Sequence, residues 1–191
     1  MNAAILGYGT VGGGVYEILK DRPDISVKYV LDKAPVAELG AVSVTDFSVI
    51  LNDAEVDTVV EVMGGLEPAY EYITAAMRAG KNIVTANKQL LAARYDELTA
   101  LARETGVGFR SSAAVGGGIP WLPNLQRLKR LGAVNEVCGI MNGTTNYILS
   151  VMQKKGYDYE SVLRDAQSFG YAEADPTADI EGLDIQRKLL L

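Results

Sequence analysis

The stretch that decides the fold is Ala3-Ala4-Ile5-Leu6-Gly7-Tyr8-Gly9-Thr10-Val11-Gly12. Ala3–Leu6 is an apolar run of strand length, and Val11–Lys20 carries a helical period. Between them, Gly7, Gly9 and Gly12 form a GxGxxG. The motif is informative only when it follows a strand and opens a helix, as it does here. In that context Gly7 permits the tight turn, Gly9 lets the backbone approach a pyrophosphate, and Gly12 lets the helix pack closely on the strand. Thr10 and Val11 lie in the first helical turn, whose free N–H groups face the phosphates. The plain alternative is an ordinary glycine-rich turn. Asp32 ends the next strand, about twenty residues beyond Gly12, where a carboxylate bonds the adenosine ribose hydroxyls. A carboxylate there repels a 2′-phosphate and tilts the preference toward NAD. The neighbouring Lys33 pulls the other way, toward NADP. As plain structure, Asp32 is a solvated turn residue.

Outward from this turn, apolar runs of strand length alternate with helix-period segments. Strands are expected at Val27–Leu31, Val42–Val44, Thr58–Val62, Asn82–Thr85 and Val107–Ser111. Helices are expected near Phe47–Leu51, over a segment whose Ala69, Ile73, Ala76 and Met77 share one face and which Gly80 ends, and over Leu90–Thr105, closed by Gly106. This βαβ alternation predicts an α/β fold with a Rossmann-type, doubly wound parallel sheet. The pattern changes after Gly132. Asn135–Asn142 reads as a strand of a second sheet, Thr145–Lys155 and Tyr159–Phe169 as helices, Ala172–Glu181 as an acidic loop, and a last helix begins near Leu183. The reading is a dinucleotide-binding domain over 1–132 and a partial α+β substrate domain over 133–191.

Composition narrows the chemistry. Of 191 residues, 48% are apolar, enough for a packed core. The net charge of -6 argues against nucleic acid or an anionic membrane as the main partner. No apolar run is long enough to span a membrane. Histidine is absent, which excludes Ser-His-Asp hydrolysis, Cys-His proteolysis and His-ligated metal sites, and leaves acid–base work to Lys, Asp, Glu, Tyr or Cys138. One cysteine allows no internal disulfide and no Cys-rich zinc site. A reducing, cytoplasmic setting is its simple reading.

Five further stretches carry a resemblance: EVMGGLEPA (61–69), VTANK (84–88), VGGGIP (115–120), GIMNGTTNYIL (139–149) and GYAEADPTADIEGLD (170–184), running on to Arg187 and Lys188. In this order they resemble homoserine dehydrogenase, and with the glycine-rich turn the resemblance covers essentially the whole chain. It implies NAD(P)-dependent interconversion of L-homoserine and L-aspartate 4-semialdehyde, in threonine, methionine and isoleucine biosynthesis. Lys88 and Lys188 match the family's two functional lysines, and without histidine a lysine is the plausible proton donor. Two ammonium groups close together would lower the pKa of at least one. Glu173, Asp179 and Asp184 match positions that hold substrate or orient the lysine, and Thr144 lies with Asn142 and Gly143 near nicotinamide and substrate. Gly64, Gly65, Asn87 and Lys88 join the expected cofactor contacts. Asp184 and Lys188, four apart, share a helix face. As plain structure these residues would be a solvated acidic loop, a surface ion pair, and an Asn-Gly turn with Thr144 as N-cap.

Two departures from the family stand out. Ser112 occupies the place of a glutamate that helps bind a monovalent cation, leaving the backbone carbonyls of Val115, Gly117 and Ile119 and predicting weaker cation binding. Family members are also considerably longer, so the chain is expected to be a truncated form or fragment; a homodimer is compatible with a longer form. Two other readings stand beside the enzyme: a module that binds dinucleotide without turnover, and an oxidoreductase with the same first domain acting on another amino acid or a sugar. The VTANK and NGTTNYIL stretches weigh against the last.

Overall fold

In the computed structural model, which describes residues 1–172 and 175–191, the chain divides into two compact units, Met1–Gln126 and Arg127–Leu191. The first opens with strand β1 (Asn2–Leu6), helix α1 (Thr10–Leu19) and strand β2 (Ser26–Leu31). It continues through β3 (Ser43–Val44), α2 (Phe47–Asn52), β4 (Thr58–Glu61), α3 (Ala69–Arg78), β5 (Asn82–Thr85), α4 (Lys88–Thr105) and β6 (Phe109–Arg110). The strands form one sheet in the order β3-β2-β1-β4-β5-β6, every pairing parallel. The order reverses at β1, so the crevice lies above the carboxyl ends of β1 and β4, where such sheets take their ligands.

The sheet forms because its strands are apolar on both faces, as a parallel sheet covered by helices requires. Ala3, Ala4, Ile5, Leu6, Val30, Val59 and Ile83 are fully buried. Helix α3 buries Ala69, Ile73, Ala76 and Met77, the face its spacing predicts. It ends at Arg78 with Ala79 as its C-cap, and Gly80 supplies the left-handed residue beyond (φ 78°). Gly106 closes α4 in the same way at φ 73°. At the opposite, amino end of the sheet, Lys81 is almost wholly buried. Its ammonium donates to the carbonyls of Asp53 (2.6 Å) and Val56 (3.1 Å). Burial pulls its pKa below the ordinary lysine value, opposed by Asp53 and Asp57.

Helix α5 (Trp121–Leu131) carries the point at which the units divide. The second unit packs α6 (Gly143–Lys155) against α7 (Tyr159–Ser168) around Ile148, Val162, Ala166 and Ala172. The short α8 (Thr177–Ile180) and α9 (Leu183–Leu190) follow. The acidic segment 172–181 thus holds a helical turn where a loop was expected. The strand expected over Asn135–Asn142 does not form. A lone strand leaves all its backbone groups without a ladder, and among the described residues this unit offers it no second strand. Val134 and Ile140 stay in solvent (36% and 80% exposed).

Candidate functional site

The glycine-rich turn has the geometry its spacing predicts. Gly7 takes φ 99°, a conformation that L side chains rarely adopt, and its N–H donates to Leu31 O at 2.8 Å. A Cβ on Gly12 would lie 1.9 Å from the carbonyl oxygen of Gly7, so α1 reaches the strand only because position 12 has no side chain. Around Gly9 a Cβ would meet nothing within 4 Å. That open space faces the start of α1, whose N-cap is Gly9 and whose first turn has neither side-chain cap nor acidic residue. The donors of Thr10 and Val11 are thereby left for a phosphate, reinforced by the helix dipole.

Asp32 stands beside the turn. Its carboxylate accepts from the Tyr8 N–H at 2.7 Å and the Lys33 N–H at 2.6 Å. A carboxylate has about four lone-pair sites, so two backbone donors leave capacity for ribose hydroxyls.

Across the crevice, the carboxyl ends of β4 and β5 are joined through Glu61, a fully buried carboxylate. It accepts from Thr85 Oγ1–H at 2.6 Å, Met63 N–H at 2.9 Å and Asn87 Nδ2–H at 3.3 Å. Asn87 also donates to Gly65 O at 2.7 Å, and its Oδ1 accepts from Leu90 N–H at 3.0 Å, capping α4. Gly64 and Gly65 both take positive φ (76° and 74°). Lys88 is the first residue of α4, partly buried. Sequence reasoning placed Asn87 at this edge but missed Glu61 as its partner; the available signal was a lone acid closing an otherwise uncharged strand.

The second unit gathers its own cluster. Asn142, not Thr144, caps α6: its Oδ1 accepts from Thr145 N–H and Oγ1–H at 2.8 and 2.9 Å. The cap position belongs to the residue whose side chain reaches the third amide on, and α6 begins at Gly143, earlier than the Thr145 expected from pattern. The two Nδ2 protons of Asn142 go to Asp179 (2.7 Å) and Asp184 (2.9 Å). Asp184 pairs with Lys188 at 2.6 Å, both side chains largely buried, and the Lys188 ammonium also donates to the Met141 carbonyl. Thr144 is buried and its hydroxyl donates to Tyr171 O at 2.7 Å. Glu173 lies outside the described residues.

The expected cation carbonyls sit in a loop where Gly116 and Gly118 have positive φ. The Ile119 carbonyl there already accepts from Trp121 N–H at 2.8 Å. Among the described residues, no group of three or more His, Cys, Asp or Glu could hold a metal, and no helix is long and apolar enough to cross a membrane. A groove of about 700 Å³ between α4, β6 and the start of α5, lined by Tyr95, Arg103, Arg110 and Leu122 among others, shares no residue with the glycine-rich turn.

The sheet order, the turn and its adjoining carboxylate define a dinucleotide-binding α/β protein. The comparisons carry this further: residues 7–111 match the homoserine dehydrogenase NAD binding domain and residues 120–191 match homoserine dehydrogenase. The chain belongs to the homoserine dehydrogenase family. It is 40% identical to the homoserine dehydrogenase of Bacillus subtilis, over all of this chain and 47% of that protein. A crystal structure of a homoserine dehydrogenase from Thiobacillus denitrificans superposes with a TM-score of 0.91 at 39% identity, covering 99% of this chain and 47% of the other. A hyperthermophilic archaeal homoserine dehydrogenase in complex with NADPH gives 0.81 at 26% identity, over 99% and 67%. The chain spans about half the length of the curated relatives it matches.

Proposed function

We propose that this chain contributes to the NAD(P)-dependent interconversion of L-homoserine and L-aspartate 4-semialdehyde, with residues 1–132 holding the cofactor and 133–191 forming part of the substrate domain. The observation that carries the reading is the Asp179–Asn142–Asp184–Lys188 cluster. It sets two carboxylates, suited to a substrate ammonium, beside a lysine held by one of them. The nicotinamide cofactor, when bound, supplies the two-electron chemistry. Gly7, Gly9, Thr10, Val11 and Gly12 would hold its pyrophosphate, Asp32 its ribose, and Gly64, Gly65, Asn87 and Lys88 the far side of the crevice. Asp179, Asp184 and Thr144, with Glu173, would hold the amino acid. Lys188, with Lys88, would pass a proton to the substrate oxygen and stabilise the charge that develops there. Weak cation binding at the carbonyls of Val115, Gly117 and Ile119, a cytoplasmic location and a homodimer in a longer form belong to the same reading.

A second reading, binding of dinucleotide without turnover, rests on the glycine-rich turn and Asp32 alone. Oxidation of L-homoserine, followed as reduced cofactor, separates the two. Turnover by the chain supports the first; NADH binding without turnover supports the second. Where turnover is present, Lys188→Ala is expected to cut kcat by about 100-fold or more, as loss of a proton-transfer group does, and to leave NADH affinity unchanged. A near-normal kcat would remove Lys188 from the proposal.

A further inference from the structure

We propose that Glu61 is a positioning residue of the nucleotide crevice, acting through Asn87; the proposal rests on the reading of that crevice as a dinucleotide site. Glu61 closes β4 beside Leu6, the residue that leads into the glycine-rich turn, and opposite Thr85 on β5. Its neighbours Val59 and Val60 make an apolar strand, so a charged side chain here is out of keeping with packing alone. A carboxylate is costly to bury unless it is fully hydrogen-bonded. Glu61 meets that requirement by taking three donors from two separate loops: Met63 N–H from the β4 turn, and Thr85 Oγ1–H and Asn87 Nδ2–H from the β5 end.

The consequence is geometric. The Asn87 amide has one orientation that satisfies all its partners: Nδ2 toward Glu61 and Gly65 O, Oδ1 toward Leu90 N–H. Thr85 Oγ1, whose proton is committed to Glu61, accepts the Asn87 backbone N–H at 3.0 Å. The Gly64–Gly65 turn and the first turn of α4, which begins with Lys88, are thus set by one carboxylate that need not touch a ligand. Without it, Met63 N–H, Thr85 Oγ1–H and one Asn87 N–H lose their acceptor. The Asn87 amide is then held only by Gly65 O and Leu90 N–H, and the tie that joins it to Thr85 and Met63 across the two walls of the crevice is lost.

The test uses this chain and NADH, titrated by fluorescence, with thermal unfolding recorded for each variant. Glu61→Ala is expected to weaken NADH binding about tenfold, one to two lost charge-assisted bonds expressed as affinity. Glu61→Gln keeps one acceptor oxygen and is expected to recover binding to within about threefold. In an Asn87→Ala background, Glu61→Ala should add no further loss, because the two act as one unit. A purely structural role would lower the melting temperature of Glu61→Ala while leaving the affinity of its folded form at the wild-type value, and that result overturns the proposal. So does an undiminished loss in the Asn87→Ala background. If Glu61→Ala does not fold, Thr85→Val removes one donor to Glu61 and the acceptor of Asn87 N–H; wild-type affinity in that variant also overturns the proposal. Failure of the wild-type chain to bind NADH overturns the crevice reading together with this one, whereas normal wild-type binding with unaltered Glu61 variants overturns this one alone.

Discussion

Replacing Gly12 by alanine is the sharpest test of how the turn works. The new Cβ would stand 1.9 Å from Gly7 O and 2.8 Å from Gly7 C. Ordinary contact begins near 3.4 Å, so one side has to retreat by about 1.5 Å. Neither side is a flexible side-chain end: one is the backbone of a turn already at φ 99°, the other a helix seated on the sheet. Overpacking of a core costs about 1–3 kcal/mol, and a backbone-to-backbone clash belongs at the top of that range. A loss of about 3 kcal/mol lowers Tm by roughly 10 °C in a unit of this size. Gly9→Ala gives the contrast. Its Cβ meets nothing within 4 Å, and φ -75°, ψ -162° suits any residue. It should leave Tm within about 2 °C of wild type yet weaken NADH binding, because the open space is where a pyrophosphate would lie. Thermal unfolding and NADH titration of both variants give a crossed pattern. A Gly12→Ala protein as stable as wild type, or a Gly9→Ala protein that loses stability and keeps its affinity, would refute the assignment of separate tasks to the two glycines.

Two further outcomes follow. Asp32→Ser should improve NADP(H) binding relative to NAD(H) by roughly tenfold, through relief of repulsion against a 2′-phosphate; an unchanged ratio of dissociation constants would show that Asp32 serves only the Tyr8 and Lys33 amides. Asp53 is held down to about 2, first by the Lys28 ammonium at 2.6 Å, then by Glu55 N–H and the Tyr29 hydroxyl. A folded pKa below the unfolded value of about 3.9 means that its contribution is complete above that pH and lost as pH falls through about 2. Asp53→Asn should therefore be less stable than wild type at neutral pH, with the gap in urea midpoint closing between about pH 4 and pH 2; a gap of constant size would count against the pairing.

The first unit was legible because its signals are local. Asn82–Thr85 is a short segment rich in β-branched residues, bounded by Gly80 and Asn87, and it is β5 to the residue. The α3 face is one stripe at helical spacing. Asp184 and Lys188 are one turn apart, and their pairing follows from that spacing. What escaped depends on distant pairings. Only the β4–β5 register brings Thr85 and Asn87 onto Glu61, and Asn142 meets Asp179 across 37 residues. The strand expected at Asn135–Asn142 failed for a related reason: alternation marks a segment fit for a sheet, but a strand exists only where a neighbour completes its ladder.

Asn142 is followed by Gly143, the neighbour that least hinders attack of a backbone nitrogen on an asparagine side chain, the reaction by which asparagine ages to aspartate. Here all the bonding capacity of the amide plane is spent, on Thr145 at one end and on Asp179 and Asp184 at the other, with the backbone extended at φ -130°, ψ 123°. The same clamp that aligns the cluster therefore guards its chemical lifetime. Fraying of the start of α6 would expose the Asn-Gly bond to deamidation, and the aspartate produced would bring a third negative charge against two carboxylates, so that one lapse of order would become a permanent lesion.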